Sequence, residues 1–173
     1  DDEDNANVVV IELKQWEGQS TEPVDGKDGI VKTFLGGGIR ETTHPSYQAL
    51  SYTQLLQDFN ITMREKPIDL YPVAYLHNFE PQYRKRLDND IYDPYTEGAP
   101  LYIRGDAKKL RSFLERQIAV GDDRENLYEM NEGKIKPAKT LQDTLLGMLE
   151  EQDACTLVDS KKVIFVRADE LGK

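Results

Sequence analysis

The chain predicts an α/β (α+β) domain with a mixed central β-sheet flanked by helices. Three observations carry this. An apolar run, Val8-Val9-Val10-Ile11, has the composition of a sheet strand; Pro45 opens a stretch of helical spacing that runs to about Phe59; and a second aliphatic and aromatic run, Leu70 to His77, precedes another helical segment beyond Asp106. With 173 residues the chain is long enough for a sizeable core.

Asp1 to Asn7 is a polar cluster of turn-forming residues leading into a strand over residues 8–16. Side chains two apart on a strand point the same way, so Val8, Val10, Glu12, Lys14 and Trp16 share one face while Val9, Ile11 and Leu13 share the other. Both faces begin apolar, which predicts a central strand, and the turn before it predicts a partner strand upstream. Because the first residue is Asp1 rather than methionine, the sequence is read as a piece of a longer protein. Residues 17–29, with Gly18, Pro23, Gly26 and Gly29, predict a loop, and Ile30 to Leu35 a second strand pairing with the first. Gly36-Gly37-Gly38 then reads as a flexible connection rather than a phosphate cradle, since no helix opens behind it and no Lys-Ser/Thr follows.

Pro45 suits a first helical position, and Tyr52, Leu55, Leu56 and Phe59 form the expected apolar stripe of that helix. Leu101 to Arg104 predicts a short strand. Asp106 is the expected cap of a helix with Leu110, Phe113, Leu114 and Ile118 as its core stripe and Gly121 as its stop. Beyond it lie a helix near Lys139 to Glu150, with Leu141, Leu145, Leu146 and Leu149 on one side, and a strand Val163 to Val166. The expected organisation is therefore a core over residues 1–120 and a small helix-strand appendage over 121–173.

Net charge is −10. Residues 1–60 hold 4 basic and 11 acidic side chains, 61–120 hold 10 and 9, and 121–173 hold 8 and 12. Such a chain repels a polyanion at long range, so nucleic acid should bind it weakly unless a metal or a basic neighbour offsets the repulsion. The same charge suits a protein-binding module. No apolar stretch approaches the roughly 20 residues of a membrane span. Cys155 is the single cysteine, excluding an internal disulfide, and a cytoplasmic location is expected. The basic groups Arg84-Lys85-Arg86 and Lys108, Lys109, Arg111 and Arg116 read as solvated faces, with a nucleic-acid role as the alternative.

The chemistry-bearing pattern is Glu12-Leu13-Lys14 at the end of an apolar strand. A carboxylate beside an ammonium can supply an oxygen ligand for a hard cation and a group that positions or activates water, as metal-dependent phosphodiester cleavage requires. An ordinary same-face ion pair gives the same pattern. One turn back along the helical stripe from Tyr52 stands Gln48. It is either a buried amide satisfied by backbone groups or, with Tyr52, part of the cleft holding Glu12 and Lys14. His44 and His77, the only histidines, are too isolated for a zinc site with Cys155 or for a nucleophile triad.

The ordered set of a strand ending Glu12-Leu13-Lys14, a second strand, and a helix with Gln48-Ala49-Leu50-Ser51-Tyr52 resembles the restriction-endonuclease-like PD-(D/E)xK nuclease superfamily. More narrowly, residues 9–16 and 44–52 resemble the nuclease-like N-terminal region of bacterial proteins that carry a C-terminal Schlafen-type P-loop ATPase or helicase domain, and the resemblance extends over Gly133 to Asp159. It implies a restriction-endonuclease-like core lacking its first elements and a Mg²⁺- or Mn²⁺-dependent phosphodiesterase acting on DNA or RNA. Glu12 would be the metal ligand, Lys14 would activate water, Gln48 and Tyr52 would orient the site, and His44 would be accessory. It also implies an aspartate on a preceding strand. Asp1, Asp2 and Asp4 stand close before Glu12 but in the expected turn. A nuclease-like fold without catalysis, serving protein or nucleic-acid interaction, is the second expectation. An unrelated acidic α/β domain is the third.

Overall fold

A long parallel pairing organises the molecule, seen in a computed structural model that describes residues 6–118, 125–136, 155–159 and 162–166. The elements in chain order are β1 (Ala6–Lys14), β2 (Glu22–Pro23), β3 (Ile30–Leu35), β4 (Gly38–Thr43), α1 (Pro45–Phe59), α2 (Ile61–Glu65), β5 (Ile68–Leu76), α3 (Asp93–Thr96), β6 (Leu101–Ile103), α4 (Ala107–Gln117), α5 (Glu125–Glu132), β7 (Cys155–Asp159) and β8 (Lys162–Val166). Two compact units result, Asp1–Lys134 and Ile135–Lys173. The first therefore runs past residue 120 and includes α5. In the second, β7 and β8 form an antiparallel hairpin with Val158 opposite Val163. The expected helix near Lys139 to Glu150 lies outside the described residues, as do Asp1, Asp2, Asp4 and Gly121.

The mixed α/β class stands, but parallel and antiparallel pairing are divided between two sheets of the first unit. β1, β5 and β6 form a parallel sheet in that order, and β2, β3 and β4 an antiparallel one. β3 thus pairs with its chain neighbours rather than with β1. The reason is local: Gly36 and Gly37 have φ of 58° and 88°, the left-handed conformation that a two-residue hairpin turn needs and glycine adopts without strain. What reads as a flexible connection is a tight turn placing Phe34 opposite Ile39. β1 is an edge strand among the described residues, not a central one. Its second face is partly uncovered, with Ile11 40% and Leu13 64% exposed.

Register fixes which side chains share a side of the parallel sheet. Lys14, Leu76 and Ile103, the last residues of β1, β5 and β6, form one row across it. The main core is built on that face: Ala74, Leu76, Leu101 and Ile103 pack with Trp16, Val31, Phe79, Leu87 and Tyr92. Burying a side chain such as Leu76 or Phe79 contributes roughly 1.5–3 kcal/mol. Helix α1 covers the same face, because His44 at its start stacks on Tyr92 with ring centroids 4.3 Å apart. Helix α4 takes the opposite face: Asn7 Nδ2 donates to Gln117 O at 2.8 Å, and the Phe113 ring lies 6.0 Å from that of Tyr102. No helix of the described residues is long and apolar enough to cross a membrane.

The buried stripe of α1 is Pro45, Ser46, Ala49 and Thr53, not the expected set, and Tyr52 and Leu55 are exposed. Small side chains let the helix sit close on the sheet, and Thr53 Oγ1 satisfies itself on Ala49 O at 3.0 Å. In α4, Phe113 is buried, whereas Ile118 lies past the helix end and is exposed.

Asp106 precedes α4 as expected, yet its side chain caps no amide of that helix. It instead accepts from Ile103 N–H at 3.2 Å, Arg84 Nη2 at 2.9 Å and Lys109 Nζ at 3.1 Å, tying the Pro81–Arg86 turn to the end of β6. Burial would raise its pKa, but the Ile103 amide and the two cations together hold the carboxyl below its ordinary value. Its contribution is therefore present above the ordinary carboxylate pKa and lost as pH falls through the depressed one. Asp106→Ala, which strands Arg84 and the amide, should lower unfolding free energy by about 2 kcal/mol at neutral pH, read from urea melts.

Candidate functional site

Glu12 and Lys14 are neighbours on the helix-covered face of β1, and the sheet geometry brings them into contact. Lys14 Nζ lies 2.6 Å from Glu12 Oε1, with side chains only 19% and 13% exposed. Charged groups this sheltered lose hydration and are stable when paired. The apolar start of the strand and the packing of α1 over β1 and β5 produce that shelter. Lys14 also stands 5.4 Å from the Trp16 ring, a contact that holds the ammonium at the end of the strand.

Gln48 and Tyr52 form a second pair. One helical turn apart on α1, they meet through a bond from Gln48 Nε2 to the Tyr52 hydroxyl at 2.6 Å. Gln48 is half-buried and Tyr52 is 43% exposed. The amide is thus satisfied by the phenol rather than by backbone groups. Since the phenol oxygen accepts from Gln48, its own proton is available to another acceptor. The first turns of α1 lie at the end of the sheet where Leu76 and Ile103 stop, which is also the end that carries Glu12 and Lys14. No hydrogen bond or ion pair among the described residues joins the two pairs.

His44 belongs to the architecture of α1. It is fully buried, its Nδ1 accepts the Ser46 N–H at 3.2 Å, and its Nε2 lies 3.0 Å from Leu87 O. An accepting Nδ1 requires the neutral tautomer with the proton on Nε2, which then donates to Leu87. Both nitrogens are occupied, and His44 serves as the cap of α1. No signal in the sequence pointed to this cap, because histidine is an unusual one and its second partner lies at Leu87.

The basic run 84–86 is also structural in two of its members. Arg84 pairs with Asp88 and Asp106, and Arg86 donates to the carbonyls of Gly18, Gln19 and Thr21 at 3.0–3.1 Å while lying over the Tyr83 ring. Gly18 is needed there: a Cβ would come within 2.4 Å of Tyr83.

For a metal, the donor set is sparse. Among the described residues no group of three or more His, Cys, Asp or Glu side chains is arranged to hold an ion. Glu12 offers one carboxylate. Mg²⁺ commonly binds through one or two carboxylates with water and substrate phosphate completing its shell, so Glu12 fits as a single protein ligand to an ion shared with substrate.

Burial drives the His44 pKa down from 6.5 to about 4, against the opposing effects of the Leu87 carbonyl and Asp88. The unfolded chain therefore binds a proton that the folded one refuses between these values, and stability rises with pH across that window. Its size is roughly 3 kcal/mol at most. Subtracting the pH–stability curve of His44→Gln from that of wild type should leave a rise between pH 4 and 6.5, and a flat difference would contradict the buried neutral cap. Comparison of the chain with protein-family models, curated proteins and solved structures finds no match.

Proposed function

We propose that the chain carries a metal-dependent nuclease site that hydrolyses phosphodiester bonds in DNA or RNA, with Glu12 and Lys14 at its centre. The observation that carries this reading is the sheltered contact between Lys14 Nζ and Glu12 Oε1 at 2.6 Å. It stands near the carboxyl ends of parallel strands, on the face that α1 covers. Ligands of open α/β sheets gather at that end.

Glu12 would hold Mg²⁺ or Mn²⁺ together with the scissile phosphate. When bound, the ion lowers the pKa of a coordinated water and offsets charge on the phosphoryl oxygens. Lys14 exchanges its bond to Glu12 for one to the attacking water or to a phosphate oxygen, where its charge counters that of the transition state. Tyr52, its oxygen fixed by Gln48, donates its proton to a second phosphate oxygen. The water oxygen bonds to phosphorus, the bond to the leaving oxygen breaks, and the proton given up by the water reaches that oxygen through solvent. In the longer protein that the motif resemblance implies, a P-loop ATPase domain of the same chain would deliver substrate.

A second reading, a nuclease-like module that binds without cleaving, is favoured by one observation: among the described residues no three His, Cys, Asp or Glu side chains are grouped to hold an ion. End-labelled DNA and RNA oligonucleotides incubated with and without Mg²⁺ or Mn²⁺ separate the two. The nuclease reading expects metal-dependent cleavage that Glu12→Gln and Lys14→Met each reduce by about 100-fold or more. Tyr52→Phe, at an exposed position, should cut the rate about tenfold while shifting stability by less than about 0.5 kcal/mol. Binding with no cleavage by wild type would establish the second reading for this chain.

A further inference from the structure

Outside that site, the described residues include a cleft whose charged lining is cationic throughout. It lies on the opposite face of the parallel sheet, between α4 and Tyr102 of the edge strand β6, with a volume of about 320 Å³. That is at the small end of ligand sites, which run from about 300 to 1,000 Å³. Lys108, Lys109 and Arg116 line it together with Ser112, Tyr102 and Phe113. No carboxylate does, in a chain with 32 acidic side chains and a net charge of −10. The concentration is local to the helix: Ala107–Gln117 carries four basic side chains and one acidic.

Each polar group at this cleft can donate. Two ammonium groups, a guanidinium and two hydroxyls face a ligand with donors, so the matching ligand carries several acceptor oxygens and negative charge. Asp106 holds Lys109 at 3.1 Å, leaving Lys108 and Arg116 without an ion pair among the described residues. Arg116 lies 5.8 Å from the Phe113 ring, which steadies its guanidinium at the rim. The partly exposed Tyr102 ring, backed by the buried Phe113 ring 6.0 Å away at a tilt of 56°, gives the cleft an aromatic wall suited to a base or sugar. The acidity of the rest of the chain does not forbid an anion here. Charges farther away than the screening length, about 8 Å at physiological ionic strength, count little beside those in contact.

We propose that this cleft binds the phosphate of a nucleotide unit, free or within a single strand, through Lys108 and Arg116, with Tyr102 against its nucleoside. It shares no residue with Glu12, Lys14, Gln48 or Tyr52, so it stands or falls apart from the nuclease reading.

Fluorescence anisotropy with labelled single-stranded DNA and RNA of about ten nucleotides tests it. Measurements run in EDTA, so that no metal-dependent reaction contributes. Wild type should bind more tightly as salt falls, and Lys108→Glu with Arg116→Glu should weaken binding at least tenfold and lower the salt slope by about one for each phosphate no longer neutralised. The milder pair Lys108→Ala with Arg116→Ala should act in the same direction, and Lys32→Glu on β3 should change affinity less than about twofold. AMP should displace the probe at concentrations where inorganic phosphate does not. Absence of binding at low salt, equal loss in Lys32→Glu, or no loss in both cleft variants would overturn the site, and equal displacement by phosphate would overturn its nucleoside half.

Discussion

Everything in the first unit depends on the pairing of β1 with β5 over nine positions, from Ala6 opposite Ile68 to Lys14 opposite Leu76. Parallel strands cannot be joined by a tight turn. The intervening chain must return to the starting edge, and here it does so by building the β2–β3–β4 sheet and then descending along α1 and α2. The crossover covers one face of the sheet, and that cover turns Glu12 and Lys14 from solvated surface charges into a sheltered pair. The same register aligns Leu76 and Ile103 beside Lys14, so the core and the Glu12–Lys14 pair meet at one end of the strands.

Around that end the structure uses polar side chains as fasteners. Asp106 gathers an amide and two cations, Arg86 gathers three carbonyls, and His44 closes the first turn of α1 while reaching Leu87. Each joins segments far apart in sequence. Lys14 and Tyr52 differ in pairing locally, with Glu12 of the same strand and Gln48 of the same helix.

Much of this was legible in the residues because it is periodic. The two-residue period of Val8 to Lys14 places Glu12 and Lys14 on one face, Pro45 marks the start of α1, and Leu70 to His77 marks β5. Less legible was whatever depends on distance or closeness. Hydrophobicity selects Tyr52, Leu55, Leu56 and Phe59 as the inner side of α1, but close approach to a sheet selects Ser46, Ala49 and Thr53. Gly36-Gly37-Gly38 reads as a flexible connection rather than a hairpin turn, because Gly38-Ile39-Arg40-Glu41-Thr42-Thr43 lacks the apolar alternation that announces a strand. The partner of His44 stands at Leu87, and no local pattern links the two.

The parallel register has a consequence for synthesis. β1 is made before β5, the strand it pairs with, which begins only at Ile68. At roughly 5–20 residues per second, a ribosome leaves Val8 to Ile11 without their β5 partner for several seconds. During that interval the apolar segment is open to chaperones and to strands of other nascent chains, so the yield of folded protein would respond to translation speed between β1 and β5 more than to speed anywhere downstream.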